Sequence, residues 1–548
     1  MKNSGILKYI IRIALFLLLA GFCLHHAERI FMGKDAEELS PYYYDYPDNT
    51  FDVLFLGSSV SKNGVQPVQL WKSNGIASYN LSNGNQSLAC SYYLMKDAIR
   101  KDHPKLIVLD TTYAEELYEL RSEVFLHYLT DQMPITDRYR YEMIQALIPR
   151  EDRTEFYFPL YSYHSRWKEL TASDFENGTY QKDTLGSVMY ASTLPLDTPV
   201  AARYDVEATL SDPSREYLQK IMDLCREEDV SLLLMCCPNS YAYGDVSPDV
   251  YNARPKIQQQ VAELAAANDV PFLNFIEDAS PLGLKDIEDF KDGPHLNIFG
   301  AEKLTAYLGN YIRDHYDIPD RSSDNAFASK MDRLSIRYED VKRSQTITTV
   351  SRADTALKVL TDYRDDQDLM YVIWGEDFIP SSISPVLANG FQALGLSPDL
   401  STDSYSDYYA VLDAGSIQTE AQSETDWDHP LLYKDSFGSM RLQLTYDSEG
   451  QDKMVINGTN CATEQAGLRI AVYNKNTRRL LDCISFSYDG NTVTHLKEAG
   501  NLYAKRIGIP ILRRAHSAEK EISPPQTAGR QKLTHHQENS NSRRLHNQ

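Results

Sequence analysis

Continuous apolar runs alternate with stretches of helical periodicity over the first three hundred residues. Val53-Leu54-Phe55-Leu56, Leu106-Ile107-Val108-Leu109 and the stretch 231–236 are short, nearly uninterrupted apolar runs. Strands covered on both faces read this way. With 78–81 and 272–275 they make five strand candidates, and 87–100, 214–228, 255–268 and 300–314 carry helical spacing between and after them. Asp212-Pro213-Ser214 is a good helix start and Asn268-Asp269 a good stop. Alternating strand and helix over 50–315 predicts an α/β fold with a doubly wound parallel sheet. The interval of about 115–213 is too long for a simple connection and is expected to form a helical insert capping the strand ends.

Residues 316–345 are charged and polar, with Pro319, Asp320 and Ser322-Ser323, and read as a linker. A second, smaller α+β domain is expected over 346–500. It has a helix at 353–364, a strand at 369–374, a helix at 382–394 ending at Gly395, and a strand at 408–413. Its last elements are the alternating runs 468–474 and 480–486, joined by polar Lys475-Asn476-Thr477 as a hairpin. From 501 to 548 periodic apolar residues are lacking, and a disordered basic tail is expected.

At the other end Lys2, Lys8 and Arg12 precede the uncharged apolar run 13–24. Snorkelling of Lys8 and Arg12 would extend the apolar span to 6–24. Basic residues ahead of the run predict an N-inside orientation, with residues 1–34 holding the cytoplasmic start and a single-pass anchor. A cleaved signal peptide shares this design, but His25-His26-Ala27 is a poor cleavage site. The expected location is the cell membrane, with the rest of the chain extracytoplasmic.

The 548 residues allow two or three domains. A net charge of -22 argues against a nucleic-acid surface, which needs a basic face. The 37 tyrosines suit either sugar stacking or aromatic cores with wet edges. Seven cysteines are too few for a disulfide scaffold, although Cys461 and Cys483 flank the hairpin region and pair or stay as buried thiols. No His/Cys/Asp cluster has metal-ligand spacing, no glycine-rich phosphate loop follows a strand, and no cofactor is expected.

Candidate chemistry lies in two distant segments. Asp52 to Leu56 runs into the turn Gly57-Ser58-Ser59, and Asp292-Gly293-Pro294-His295 precedes the helix near 300. A serine at a strand-to-helix turn becomes a nucleophile when an imidazole takes its proton and a carboxylate orients the imidazole. Together the segments resemble the first and last blocks of the SGNH/GDSL hydrolase superfamily. The resemblance implies Ser59 as nucleophile, His295 as base and Asp292 as its orienter, with Ser58 the competing serine. Ala77 to Asn85 resembles the second block, which implies an oxyanion donor at the Gly84 amide, with Asn85 beside it. Where that family has Gly-x-Asn-Asp, this chain has Asp110-Thr111-Thr112-Tyr113 and lacks the asparagine donor.

The likeness extends to membrane-attached Gram-positive members through Leu70-Trp71, Gly75 to Asn80, Phe158 to Tyr161 and Tyr163 to Leu170. In the insert His164, Arg166 and Trp167 are candidate substrate contacts, since Arg grips anions and Trp stacks on sugars. The segment Gly467 to Tyr473 with Asp482 to Phe486 resembles the interleukin-like EMT-inducer domain, a lectin-like module, and Trp374, Glu376 and Asp377 are candidate sugar contacts there. Taken together these features imply an O-acyltransferase or esterase acting on a cell-surface or cell-wall glycan. Its partners would be that glycan or acyl ester and a membrane acyl-donor protein. The alternative is an inactive surface scaffold or carbohydrate-binding protein in a polysaccharide assembly machine.

Overall fold

A computed structural model describes residues 3–31, 41–114, 123–168, 170, 184–194, 205–240, 248–424, 432–445, 453–461 and 467–496. The expected tail at 501–548 lies outside the described residues, as do parts of the insert and the side chain of Asp377.

The first helix, α1 (Asn3–Phe31), exposes large apolar side chains between Tyr9 and Leu24. Among the described residues, which leave out the side chains of 3–7, 25, 28 and 29 in α1, no helix is long and apolar enough to cross a membrane. Five parallel strands follow: β1 (Val53–Leu56), β2 (Ser78–Asn80), β3 (Leu106–Asp110), β4 (Ser231–Cys236) and β5 (Phe272–Asn274). Their spatial order is β2-β1-β3-β4-β5, with Val53 level with both Ser78 and Leu106. This order reverses direction between β1 and β3, the switch point where doubly wound sheets open a crevice. The continuous apolar runs have a simple cause. Leu54 and Leu56 enter one core, while Val53 and Phe55 enter another on the opposite face.

Helices cover both faces. The short α2 (Ser59–Gly64) and α3 (Pro67–Asn74) follow β1, and α4 (Leu88–Asp102) follows β2. Residues 123–163 hold α5 (Glu123–Gln132), α6 (Arg138–Leu147), α7 (Arg153–Tyr157) and α8 (Pro159–Tyr163). Leu126, Met143 and Ile144 join the same core as Leu54, so this part of the interval packs on a face of the sheet. The next helices are α9 (Asp212–Glu227), α10 (Pro248–Ala267) and α11 (Ile298–His315). Helix α10 starts ahead of the expected Pro255, which sits inside it.

The expected linker at 316–345 is mostly helix α12 (Asn325–Thr348). Its apolar residues are sparse, and its charges are satisfied by partners distant in sequence. Met331, Tyr338, Val341 and Ile347 are buried on one side. Lys342 pairs with Glu302, Arg343 with Asp366 and Asp368, and Asp340 accepts from Asn474 Nδ2 at 2.8 Å. Such pairings cannot be read from local periodicity.

The C-terminal half contains α13 (Ala353–Asp362), β6 (Leu369–Phe378), α14 (Pro385–Leu394), β7 (Ser406–Asp413) and β8 (Ser416–Glu424). There follow β9 (Leu432–Phe437), β10 (Met440–Thr445), β11 (Lys453–Ile456), β12 (Thr459–Asn460), β13 (Leu468–Asn474), β14 (Arg479–Phe486) and β15 (Val493–His495). These strands form a six-stranded sheet of order β15-β14-β13-β6-β7-β8 and a four-stranded sheet β12-β11-β10-β9, both antiparallel in their pairings. The two-residue period of β6 sorts its side chains between two cores. Leu369, Tyr371 and Ile373 meet α13 and α14, whereas Met370, Val372 and Trp374 meet the smaller sheet. Ser384 caps α14 through the Leu387 amide, and Gly395 ends it in the left-handed region at φ 81°. Cys461 and Cys483 are free buried thiols, the Cys483 Sγ donating to the Cys461 carbonyl.

Candidate active site

The first block of the site is a sharp turn that only glycine tolerates. Gly57 has φ 152°, and a Cβ there would lie 2.5 Å from the Cβ of Asp110. This close approach brings β1 against the end of β3 and swings the next residues into α2. Ser58 is the N-cap, buried, with its hydroxyl turned toward Asp110 Oδ2 at 3.4 Å. Ser59, at the first helical position, is half-buried, and its Oγ lies 2.8 Å from His295 Nε2. The geometry therefore separates the two serines: Ser59 meets the imidazole, and Ser58 faces the interior.

The last block is held just as firmly. Phe290 and Leu296 form an antiparallel bridge that closes the turn, and Lys291 N donates to His295 O at 2.9 Å. Asp292 Oδ1 accepts from the His295 backbone N at 2.9 Å and lies 2.8 Å from His295 Nδ1. One carboxylate oxygen thus fixes both the backbone and the ring of the histidine. Burial works to raise the Asp292 pKa, but the hydrogen bonds and charge of His295, with Lys291 nearby, outweigh it and hold the carboxyl below its usual range. Asn297 ends the turn. It is fully buried, accepts from the Phe299 and Gly300 amides to cap α11, and donates to Glu288 O at 2.7 Å. Gly300 must be glycine here, since a Cβ would lie 2.2 Å from Asp289 O.

Gly84 and Asn85 sit in the turn after β2, Gly84 buried and Asn85 in the left-handed region at φ 51°. Residues to which the sequence assigned no role bolt that turn to the helix bearing Ser59. Asn80 Nδ2 donates to Ser61 O and Val65 O at 3.0 and 3.1 Å, Ser82 Oγ to Ser61 Oγ at 3.0 Å, and Lys62 Nζ to Asn83 Oδ1 at 3.0 Å. The density of Asn and Ser over 80–85 was the available signal. Asp110 stands at the end of β3, with Oδ1 accepting from Thr112 N and Cys237 N at 3.1 and 3.3 Å. Burial raises its pKa, while these donors pull the other way.

Residues 184–194, within the interval expected to cap the strand ends, reach this region. Val188 N donates to Lys62 O, Leu194 N to Phe290 O, and Ile298 N to Tyr190 O at 3.2, 3.1 and 2.7 Å. Ser187 and Val188 engage the buried Gln66 side chain, and Lys291 Nζ lies 3.6 Å from the Tyr190 ring centre. This strap joins the serine segment to the histidine segment.

The three insert candidates have their own contacts. Arg166 Nη1 donates to Phe31 O of α1 at 2.7 Å, and His164 Nδ1 meets Tyr161 O within the same turn. Trp167 is 62% exposed, with the Lys168 ammonium over its ring. These contacts tie the turn to α1. Trp374 is wholly buried, with the Arg469 guanidinium 4.8 Å from its ring centre, which makes it a core residue and excludes it as a sugar platform.

The fold and the geometry define a doubly wound α/β protein with a Ser–His–Asp hydrogen-bond chain at the carboxyl ends of its parallel strands. No protein-family model matches the chain, and no curated protein does. Similar solved structures include a putative acylhydrolase from Bacteroides fragilis NCTC 9343, at 12% identity over 49% of this chain and 89% of that one, with a TM-score of 0.26. A GDSL-like lipase from Bacteroides thetaiotaomicron VPI-5482 matches at 12% identity, 48% and 87% coverage and a TM-score of 0.25. One described as a putative GDSL-like lipase, from Parabacteroides merdae ATCC 43184, matches at 11% identity, 48% and 94% coverage and 0.24.

Proposed function

We propose that this chain is a serine acyl-transfer enzyme working outside the cytoplasm on acyl groups of a cell-surface glycan, held at the membrane by α1. The observation that carries this reading is the chain Ser59 Oγ–His295 Nε2–His295 Nδ1–Asp292 Oδ1, with both contacts at 2.8 Å. In the reaction His295 takes the Ser59 proton as Oγ attacks the acyl carbonyl, and Asp292 stabilises the imidazolium that forms. The amides of Ser59 and Gly84, with Asn85, receive the oxyanion. His295 then returns the proton to the leaving alcohol, leaving acyl-Ser59. The next acceptor, activated by His295 in turn, is water in an esterase or a glycan hydroxyl in a transferase. A membrane anchor keeps such an enzyme near a membrane acyl donor and nascent polysaccharide, which favours the transferase.

Asp110, where the SGNH pattern has its asparagine region, favours a second reading: a scaffold that keeps the fold without turnover. Labelling with a fluorophosphonate separates the two. Wild-type protein and Ser58→Ala should label, and Ser59→Ala should not. Folded protein that resists labelling supports the scaffold. With an activated acyl ester and candidate glycans, acylated sugar by mass spectrometry marks a transferase, and free acid alone an esterase.

A further inference from the structure

Outside α1, six large apolar side chains are exposed among the described residues, and three of them, Phe158, Tyr161 and Trp167, fall within ten residues of one another. They are 63%, 60% and 62% exposed. Such crowding on one short segment marks a patch rather than scattered surface apolars. The segment is α8 with the 3-10 turn His164–Lys168, and it packs against the carboxyl end of α1 through the Arg166 bond to Phe31 O. Helix α1 continues the apolar surface, since eleven large apolar side chains from Tyr9 to Leu24 are 49–70% exposed.

We infer that α8 and the turn after it rest in the headgroup layer of the outer leaflet, with Phe158, Tyr161 and Trp167 reaching toward the acyl chains. This rests on the reading of α1 as a membrane anchor. From Leu24 to Phe31 a helix rises about 10 Å, at about 1.5 Å per residue. The polar layer is about 5–7 Å deep on each side of a core of about 30 Å. Phe31 therefore emerges at the outer edge of the headgroups, and aromatic side chains beside it reach back into them. Tyr and Trp favour that layer because each has an apolar body and a polar edge. Arg166 and Lys168 carry the positive charge that lipid phosphates attract. The patch also has a rigid support: Tyr163 Oη donates to Asp131 at 2.8 Å, and Asp131 is held by His127 Nδ1 at 3.0 Å. A docked patch fixes the tilt of the catalytic half above the bilayer, where an anchor alone would let it swing.

The test uses the full chain reconstituted in vesicles of phosphatidylcholine and phosphatidylglycerol, with bromine on the upper part of the phosphatidylcholine acyl chains. The other three tryptophans, Trp71, Trp374 and Trp427, are the same in both proteins, so the difference in quenching between wild type and Trp167→Phe isolates Trp167. Flotation of both proteins with the vesicles, together with bromine quenching that falls at least twofold in Trp167→Phe, is the expected result. Flotation with equal quenching in the two proteins overturns the docked patch while the anchor stands. Failure to float overturns the anchor and the patch with it.

Discussion

Replacing Asp292 by Asn removes one charge while leaving an oxygen able to hold His295. The same Oδ1 accepts from both the backbone and the ring of His295, at 2.9 and 2.8 Å, so an Asn oxygen in that place keeps the ring orientation. What is lost is the attraction between carboxylate and imidazolium. Two unit charges about 4 Å apart interact by about 4 kcal/mol at an effective dielectric of 20. The Asp292 and His295 side chains keep 31% and 20% of their accessibility, so solvent screening reduces this to about 2–3 kcal/mol. At 1.36 kcal/mol per decade, Asp292→Asn should slow serine acylation about 30- to 200-fold. Asp292→Ala also frees the ring and the turn, leaves the tautomer of His295 unset, and should fall further. The rate of fluorophosphonate labelling of Ser59 measures this without a known substrate. A rate for Asp292→Asn within threefold of wild type would refute the assigned role of Asp292. Equal losses for Asn and Ala would refute the division into charge and orientation.

Three further outcomes follow from the geometry. Gly57→Ala forces a Cβ to within 2.5 Å of the Asp110 Cβ at a φ that disfavours side chains, and it should cost about 2–4 kcal/mol in denaturant unfolding and suppress Ser59 labelling. Trp374→Ala empties a wholly buried site between two sheets and should cost about 3–5 kcal/mol, whereas a sugar-platform tryptophan would leave unfolding unchanged. Burial lowers the pKa of His495, but its bonds to Asp482 and the Val350 carbonyl outweigh that and raise it overall. Protonated His495 therefore stabilises the fold fully below its unfolded pKa of about 6.5, and this contribution is lost as pH rises through the higher folded value. In His495→Gln, unfolding free energy measured across that window should lose this downward slope. An unchanged slope would contradict the pairing.

The sequence by itself determined the local elements, because those follow from short-range periodicity. Continuous apolar runs mark β1, β3 and β4 as covered on both faces, and Gly395 marks the end of α14, whereas its start at the Ser384 cap came from the structure. It also marked the Gly57-Ser58-Ser59 turn and the Asp292–His295 turn as the two ends of one site, through residue types that suit nucleophile, base and orienter. The resemblance of the two blocks implied that Ser59 and His295 act together, but the contact itself was decided by tertiary structure. That Ser59 rather than Ser58 faces His295 depends on the path of the chain past Asp110, and residues 236 apart in sequence share no local signal. The strap at 184–194 is bound by backbone amides and carbonyls, which every residue carries, so no composition could reveal it. Helix α12 looked like a linker because its charges find partners on other elements, and a charge's partner is invisible until the fold places it. Trp167 and Arg166 suggested a sugar and an anion by residue type, yet only the packing against α1 showed which surface they belong to.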